Sequence, residues 1–414
     1  MAPSNPSGQM PQPLDLTDLP EDPLVSVIMG NYNYESYVGE AIESVLNQTN
    51  GMFELIVCDD GSTDGSCDVI ERYSRADPRV KFLRKANGGQ ASAWNAAYAL
   101  SCGPILCTMD SDDLFHPNKL EAVVRHFKAR TDSGFAIHPM MVIDKAGEEI
   151  QRVPYLTRFE EGWIADRIVA RGGRWPFMPS SALCFRRDLG ASLFPIPEPL
   201  FRLCADAFVF TLAPMLTSVS IIDEILTGYR VHGLNGMSTN QIDDATARRE
   251  VDFIRRTHVG VNARLNEMGY DGPILRSDSN LDFVLNMFII SLFDDVSPLR
   301  LSGQFSHVLS RLLRDDLYSL PQKWLGVAVY GVAIMLPSSY RSRWLTKALR
   351  PNRTKALIKG AVGYFRRALR RRPGEFMRSP SRSRPAAGTP GRFRWGPVGR
   401  MCPPYSPLEA EGDA

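Results

Sequence analysis

The feature that most limits what this chain can fold into is a strand–helix alternation that starts at residue 24, each strand ending in a polar cluster. Residues 24–29, LVSVIM, form a short β-branched run that enters Gly30-Asn31, as a buried strand meeting a loop should. Over residues 36–48, Val38, Ala41, Ile42, Val45 and Leu46 fall on one helical face. FELIVC at 53–58 predicts a second strand, closed by Asp59-Asp60-Gly61-Ser62, and a helix is expected over 67–74. A third strand follows at 80–83. Gly88-Gly89 then precedes an Ala-rich helix running to Leu100. Residues 104–109 predict a further strand, which runs into Asp110-Ser111-Asp112-Asp113, and Pro117 sits where the next helix would begin. Short connections between such elements imply an α/β fold: a Rossmann-like, mostly parallel sheet flanked by helices.

Beyond this frame the pattern changes. Residues 134–230 are irregular and rich in Pro, Gly and aromatics, whereas 241–319 look helical again. A charge-free stretch at 324–336 would span only ~20 Å as a helix, short of the ~30 Å of bilayer hydrocarbon. Net charge is +2, but residues 341–400 carry 18 Lys and Arg against one acid, Glu375. Within that region, 355–372 place Leu357, Ile358, Ala361, Val362, Phe365, Ala368 and Leu369 on one helical face, with Lys355, Lys359, Arg366 and Arg370 largely elsewhere. A basic amphipathic helix suits an anionic membrane surface; nucleic acid is the weaker rival for such a charge run. The expected organisation is a disordered Pro-rich tail at 1–22, an α/β domain at 23–235 and a helical extension at 236–320. A basic, membrane-interfacial region at 321–373 and a disordered tail at 374–414 complete it. The seven cysteines form no CxxC pair and no signal-peptide pattern opens the chain, so reduced thiols in a cytoplasmic protein are expected.

In open parallel sheets, ligands bind beyond the carboxyl ends of the strands. Three of these ends carry Asn31-Tyr32-Asn33, Asp59-Asp60-Gly61-Ser62 and Asp110-Ser111-Asp112-Asp113. Carboxylates gathered at one edge repel each other unless a cation sits among them, and a hard divalent ion, Mg²⁺ or Mn²⁺, is the natural partner. Turn-forming and helix-capping roles compete for some of these acids, evenly so for Asp64. No GxGxxG follows the first strand and no GxxxxGK[ST] occurs anywhere, which removes the usual cradles of dinucleotide redox enzymes and P-loop hydrolases.

Taken in order, VSVIMGNYNYESYVGEAIESVLNQT, ELIVCDDGSTDGS, NGGQASAWNAAYA and TMDSDD resemble the nucleotide-binding half of an inverting family-2 glycosyltransferase with the GT-A fold, over roughly residues 24–235. The resemblance implies that Asn31 and Tyr32 lie against the nucleotide and that Asp60 accepts a hydrogen bond from the base. Asn87, with Gly88 and Gly89, would line the sugar-nucleotide pocket. Asp110 and Asp112 match the DxD motif that contacts the ribose and holds a divalent metal (Mn²⁺ or Mg²⁺) across the diphosphate, a task Asp113 could share. The catalytic base would be Asp206, an acid in an apolar run where burial alone would disfavour one; Ala205 stands where the family often has Glu. A helix cap or buried ion pair is the competing role for Asp206. The segment 229–235 resembles the one that closes the catalytic half, with His232 a candidate metal ligand or diphosphate contact and Arg230 a candidate charge partner. Equally, a lone histidine can be structural. Residues 175–181 would line the acceptor side with aromatic faces, or form a simple Pro-rich turn.

The function the resemblance implies is metal-dependent, inverting transfer of one sugar from a nucleoside-diphosphate sugar, with UDP-sugar favoured, to an acceptor hydroxyl in cell-envelope or surface polysaccharide or glycolipid synthesis. Related processive synthases carry Gln-x-x-Arg-Trp; the nearest match, Tyr340-Arg341-Ser342-Arg343-Trp344, lacks the Gln, so single transfer is favoured. Expected partners are the donor, a hydroxyl acceptor such as a lipid-linked glycan, and an anionic membrane surface. Nucleic acid is not expected. Such a protein would sit in the cytoplasm, peripheral on the inner face of the membrane. The rival reading is a non-catalytic sugar-nucleotide or glycan binding module on the same fold. A nucleotidyltransferase is disfavoured because Gly30-Asn31-Tyr32-Asn33 carries no cation.

Overall fold

The computed structural model describes residues 12–152, 160–232, 243–270, 274–294 and 296–348. The strands, in chain order, are β1 (Val25–Asn31), β2 (Phe53–Asp59), β3 (Val80–Arg84), β4 (Ile105–Asp110), β5 (Leu114–Phe115) and β6 (Ser133–Ile137). They continue with β7 (Met140–Ile143), β8 (Glu149–Arg152), β9 (Leu183–Arg186), β10 (Ser218–Ile221) and β11 (Thr227–Arg230). Seven of them form one sheet in the order β10-β6-β9-β4-β1-β2-β3, parallel except for β9, which runs antiparallel between β4 and β6. Alternate residues of β1 face opposite layers. Val25, Val27 and Met29 pack under α1 (Glu35–Leu46), and Ile28 packs on the other face against Ala93 and Trp94 of the helix over Gln90–Leu100. Burial on both faces explains why these strands read as continuous apolar runs.

The helix α2 (Ser66–Ala76) follows β2, and Gln90–Leu100 is α3. The next, α4, covers Lys119–Ala129 with Asn118 as its N-cap, so Pro117 lies just ahead of the cap and not in the first turn. The stretch read as irregular, 134–230, is in fact largely ordered. It supplies β6 to β11, the short helices α5 (Ala165–Ala170) and α6 (Arg187–Leu193), and α7 (Ala205–Leu216). A second sheet, β5-β11-β7-β8, sits at the carboxyl edge of the first and carries residues 227–230 to the polar clusters. Strands of two to four residues between prolines leave no alternation to detect.

Residues 12–22, expected within a disordered tail, lie against the domain. The Leu14 amide donates to the Leu216 carbonyl, Leu14 and Leu19 pack on the two apolar layers, and the Thr17 hydroxyl donates to Asp188. Leucines at 14, 16 and 19 give this segment enough apolar surface to dock.

Toward the C-terminus come α8 (Asp244–Glu267), α9 (Leu281–Phe293), α10 (Pro298–Arg314), α11 (Leu320–Met335) and α12 (Ser338–Ala348). Val251 of α8, Phe288 and Leu292, Leu301 and Val308, Val329 and Ala333, and Leu345 form one apolar core, which runs across the boundary expected at residue 320. No helix among the described residues is long and apolar enough to cross a membrane. The basic segment expected at 355–372 and the tail at 374–414 lie outside the described residues.

Candidate active site

Register brings the polar strand ends together. Asn31 pairs with Asp59 across β1 and β2, and Gly30 with Asp110 across β1 and β4, so three clusters share one sheet edge. They border a cleft of about 880 Å³ whose wall includes Asn31, Tyr32, Asp60, Asn87, Gly89, Asp110, Asp112 and Asp206. Asn31, Tyr32, Asp60, Asn87, Gly89, Asp110, Asp112 and Asp206 reach this wall as expected, whereas Gly88, Asp113, Arg230 and His232 do not line it.

The β2 turn is built by its own acids. Burial would raise the Asp59 carboxyl, but hydrogen bonds from the Ser62 hydroxyl and amide and from Asn31 Nδ2 hold it below its ordinary value. Asp60, expected to meet the base, has oxygens that accept from Lys85 Nζ at 2.8 Å and from the Gly88 and Gly89 amides at 2.9 and 2.6 Å. It thereby pins the turn that follows β3. Gly89 adopts φ +90°, and a Cβ there would lie 2.2 Å from the Arg202 carbonyl oxygen, so this turn requires glycine. Arg202 also donates to Asn87 Oδ1. Asp64 is a capping residue: its carboxylate accepts the Glu35 and Ser66 amides.

At the end of β4 the oxygens of Asp110, Asp112 and Asp113 lie within 4.8 Å of one another. Burial, then the Asp112 charge, pushes the Asp110 carboxyl up to about 7, against hydrogen bonds from Ser180 and Gln90. Burial raises Asp112, opposed by His232, and lifts Asp113 well above the carboxylate range, with Asp112 and Asp110 adding to it. Asp113 Oδ1 accepts the Arg230 amide at 2.9 Å, whereas its buried Oδ2 has no hydrogen-bond partner among the described residues. Clustered carboxylates that resist ionisation, one with an orphaned oxygen, fit a hard divalent cation, which would let all three ionise.

The His232 side chain is fully buried, stacks on Tyr37 with centroids 4.7 Å apart, and places Nε2 3.0 Å from Asp112 Oδ2. Arg230 is also fully buried. Its guanidinium donates to the Asp112 and Lys145 carbonyls and to Glu40 Oε2, which makes it the clamp of the acidic loop and not a free counter-charge. Trp175 has one face stacked on Phe210 at 4.3 Å and its indole N–H on the Phe210 carbonyl, so it is anchored in the core while still bordering the cleft, as do Phe177, Pro179 and Ser180. Ser180 and Ser181 from the same segment hold Asp110 by its carboxylate and its amide. Lys119, which the sequence reading passed over, is fully buried and holds this segment through the Ser181 carbonyl at 2.7 Å.

Across the cleft, Asp206 sits in the first turn of α7, every residue of which is buried. Cys204 ahead of it takes the left-handed conformation, φ 58°, to turn the helix start inward. Burial, then the Asp110 charge, raises the Asp206 carboxyl to about 7. Its Oδ1 accepts the Ala207 amide at 3.0 Å, a contact within its own helix start. Gln90 ties the two sides together: its Nε2 lies 3.3 Å from Asp110 Oδ1, and its Oε1 accepts the Ala205 amide at 2.8 Å. Sequence reasoning missed Gln90; its place directly after Gly88-Gly89 was the available signal.

A sequence profile described as glycosyl transferase family 2 matches residues 26–193. An uncharacterized glycosyltransferase of Nostoc sp. is 33% identical over 256 residues, covering 60% of this chain and 78% of that protein. A chondroitin synthase of Escherichia coli is 35% identical over 257 residues, 60% of this chain, and the match spans only 33% of the synthase. Among solved structures, S. aureus TarS 1–349 in complex with UDP-GlcNAc aligns at 17% identity and a TM-score of 0.48, over 81% of this chain and 92% of that one.

Proposed function

The chain belongs to glycosyl transferase family 2, and from that premise we propose that it moves one sugar, with inversion, from a nucleoside-diphosphate sugar to an acceptor hydroxyl. UDP-sugar is the favoured donor. The observation that carries this reading is the shared cleft, in which Asp206, raised to about 7, faces the acidic cluster at the end of β4.

Asp206 is the base. A carboxyl titrating near neutrality in an apolar helix start is suited to take a proton at working pH. It accepts the proton of the acceptor hydroxyl as that oxygen bonds to the anomeric carbon, and the bond from that carbon to the diphosphate oxygen breaks on the opposite face. Gln90 fixes the separation between this base and Asp110. Asn31, Tyr32, Asn87 and Gly89 form the wall on the nucleotide side, and Asp60 keeps the Gly88-Gly89 turn in place. Asp110 and Asp112, with Asp113 in reach, would hold Mg²⁺ or Mn²⁺, which when bound supplies positive charge for the departing diphosphate. His232 acts through Asp112, orienting its carboxylate, and Arg230 holds the backbone of the loop.

Attachment to an anionic membrane surface belongs to the same reading. On α11 the side chains at 321, 324, 328, 332 and 335 form an exposed apolar stripe, with Trp324 62% and Met335 83% exposed, next to the region with 18 Lys and Arg. An apolar stripe beside a polybasic run supplies the two signals that stable peripheral attachment needs. Cell-surface polysaccharide or glycolipid synthesis on the cytoplasmic side fits this placement.

The test is a thermal-shift panel of UDP-glucose, UDP-N-acetylglucosamine and GDP-mannose with and without MnCl₂, followed by transfer assays on whichever donor stabilises the fold. Stabilisation by a UDP-sugar that requires Mn²⁺ is expected. If no donor in the panel shifts melting in either condition, the reading fails.

A further inference from the structure

The cleft does not end at Asp206. Its far wall is one face of α8, with Glu250, Phe253, Ile254 and Thr257 at helical spacing, joined by the start of α9. These helices lie beyond the 26–193 span matched by the family profile. The polar side chains on this wall are nearly all engaged. The Thr257 hydroxyl donates to the Phe253 carbonyl, His258 is bonded to Gly172 and Ser277, Asn280 donates to Gly172, and Asp282 is paired with Arg174 at 2.6 Å. Glu250 differs: it is 7% exposed, borders the cleft, and makes no hydrogen bond to any described residue.

A largely buried carboxyl that borders the cleft and has no hydrogen-bond partner among the described residues carries a desolvation cost unless water or a ligand in the cleft meets it. We propose that this wall is the acceptor subsite, that it takes an uncharged sugar ring, and that Glu250 is the contact that determines its specificity. The inference rests on the transferase reading of the cleft. Burial, then the Asp282 charge, raises the Glu250 carboxyl to about 8, so at neutral pH it is largely protonated. A neutral carboxyl offers one donor and one acceptor, which matches a sugar hydroxyl that both gives and takes a hydrogen bond. The half-buried rings of Phe253 and Phe177 supply apolar surface for the face of the ring. An acceptor carrying a carboxylate or phosphate would meet the Asp282 charge on this wall and Asp206 beside it, with the Arg174 cation already shared between Asp282 and Asp315.

The experiment is saturation-transfer NMR on the full chain with methyl β-glucopyranoside, methyl β-galactopyranoside and glucuronic acid, for the wild type, Glu250→Leu and Glu250→Gln. A signal from at least one neutral glycoside and none from glucuronic acid is expected. The neutral signal should fall at least fivefold in Glu250→Leu and stay within twofold in Glu250→Gln, whose amide also both donates and accepts. Each variant's melting temperature reports its fold, and Glu250→Leu should melt at or above the wild type because it removes a buried carboxyl. Binding of the neutral glycoside unchanged in Glu250→Leu, glucuronic acid bound as well as the neutral rings, or no neutral signal in the wild type would each overturn the subsite. UDP binding measured on the same samples separates the two readings. UDP, or another donor of the panel, bound normally alongside any of those outcomes refutes the subsite alone, whereas failure to bind every donor of the panel refutes the transferase reading.

Discussion

Replacing Asp206 by asparagine should abolish turnover and strengthen the fold, and the second effect should depend on pH. The carboxyl is 8% exposed and is raised from 3.8 to about 7 by burial and by the Asp110 charge. A folded-state pKa above the unfolded one means that this group stabilises the protein only while protonated. That contribution is complete below about pH 4 and is lost as pH climbs to about 7. At about 1.4 kcal/mol per unit, a displacement of about three units costs the wild type up to about 4 kcal/mol at pH 8 and about 1.5 kcal/mol at pH 5. Asparagine does not ionise, so the variant's advantage in urea denaturation with EDTA present should widen by about 2–3 kcal/mol between those pH values. Transfer at pH 8 should fall about 10²- to 10⁴-fold, the loss expected for a general base, while UDP affinity stays within about twofold. The wild-type rate should also decline below about pH 7, where the base becomes protonated. A stability gap that does not change with pH, or transfer retained within tenfold, would refute the assignment.

Further outcomes follow from the geometry at three sites, Asp112, Gly89 and Arg230, with Gly51 as a control. Asp112→Ala should remove Mn²⁺-induced stabilisation, which for a site filled at a hundred times its dissociation constant amounts to about 2.7 kcal/mol, read as the melting difference with and without MnCl₂. Gly89→Ala should cost about 3 kcal/mol or more in urea midpoint terms, from the left-handed backbone and from a Cβ 2.2 Å from the Arg202 carbonyl oxygen. Gly51→Ala, where a Cβ meets nothing within 4 Å, should stay within about 0.5 kcal/mol. Arg230→Leu should cost about 2–4 kcal/mol because it removes the donors of the Asp112 and Lys145 carbonyls. Arg230→Lys should recover less than half of that loss, since a point charge cannot reproduce the fork.

The first half of the domain was legible because its strands are buried on both faces. VSVIMG and FELIVC allow little but a central strand, and parallel pairing then sends every strand end to the same edge. The antiparallel β9 and the second sheet were not legible, since LCFR, MMVI and TGYR are too short to show a period. Among the site residues, sequence pattern identified which acids gather but not what holds them. Asp60 carries no local mark that Lys85 and two glycine amides will occupy it, because those partners lie 25 to 29 residues away. Arg230 reads as a charge partner until the Asp112 and Lys145 carbonyls and Glu40 are seen to hold it, the last 190 residues distant in sequence. Glu250 is one acid in a helix rich in charge, and only the packing of α8 against the cleft sets it apart.

One carboxamide, that of Gln90, touches the acidic cluster through Asp110 and the helix bearing Asp206 through Ala205. In the proposed mechanism it would work as a ruler of fixed length between the two ends of the reaction. A ligand that drew the glycine turn inward would then drag the proposed base along with it, so that arrival of the donor and readiness to remove a proton would become a single mechanical event. Selection acting on the reach of this one side chain could retune both at once.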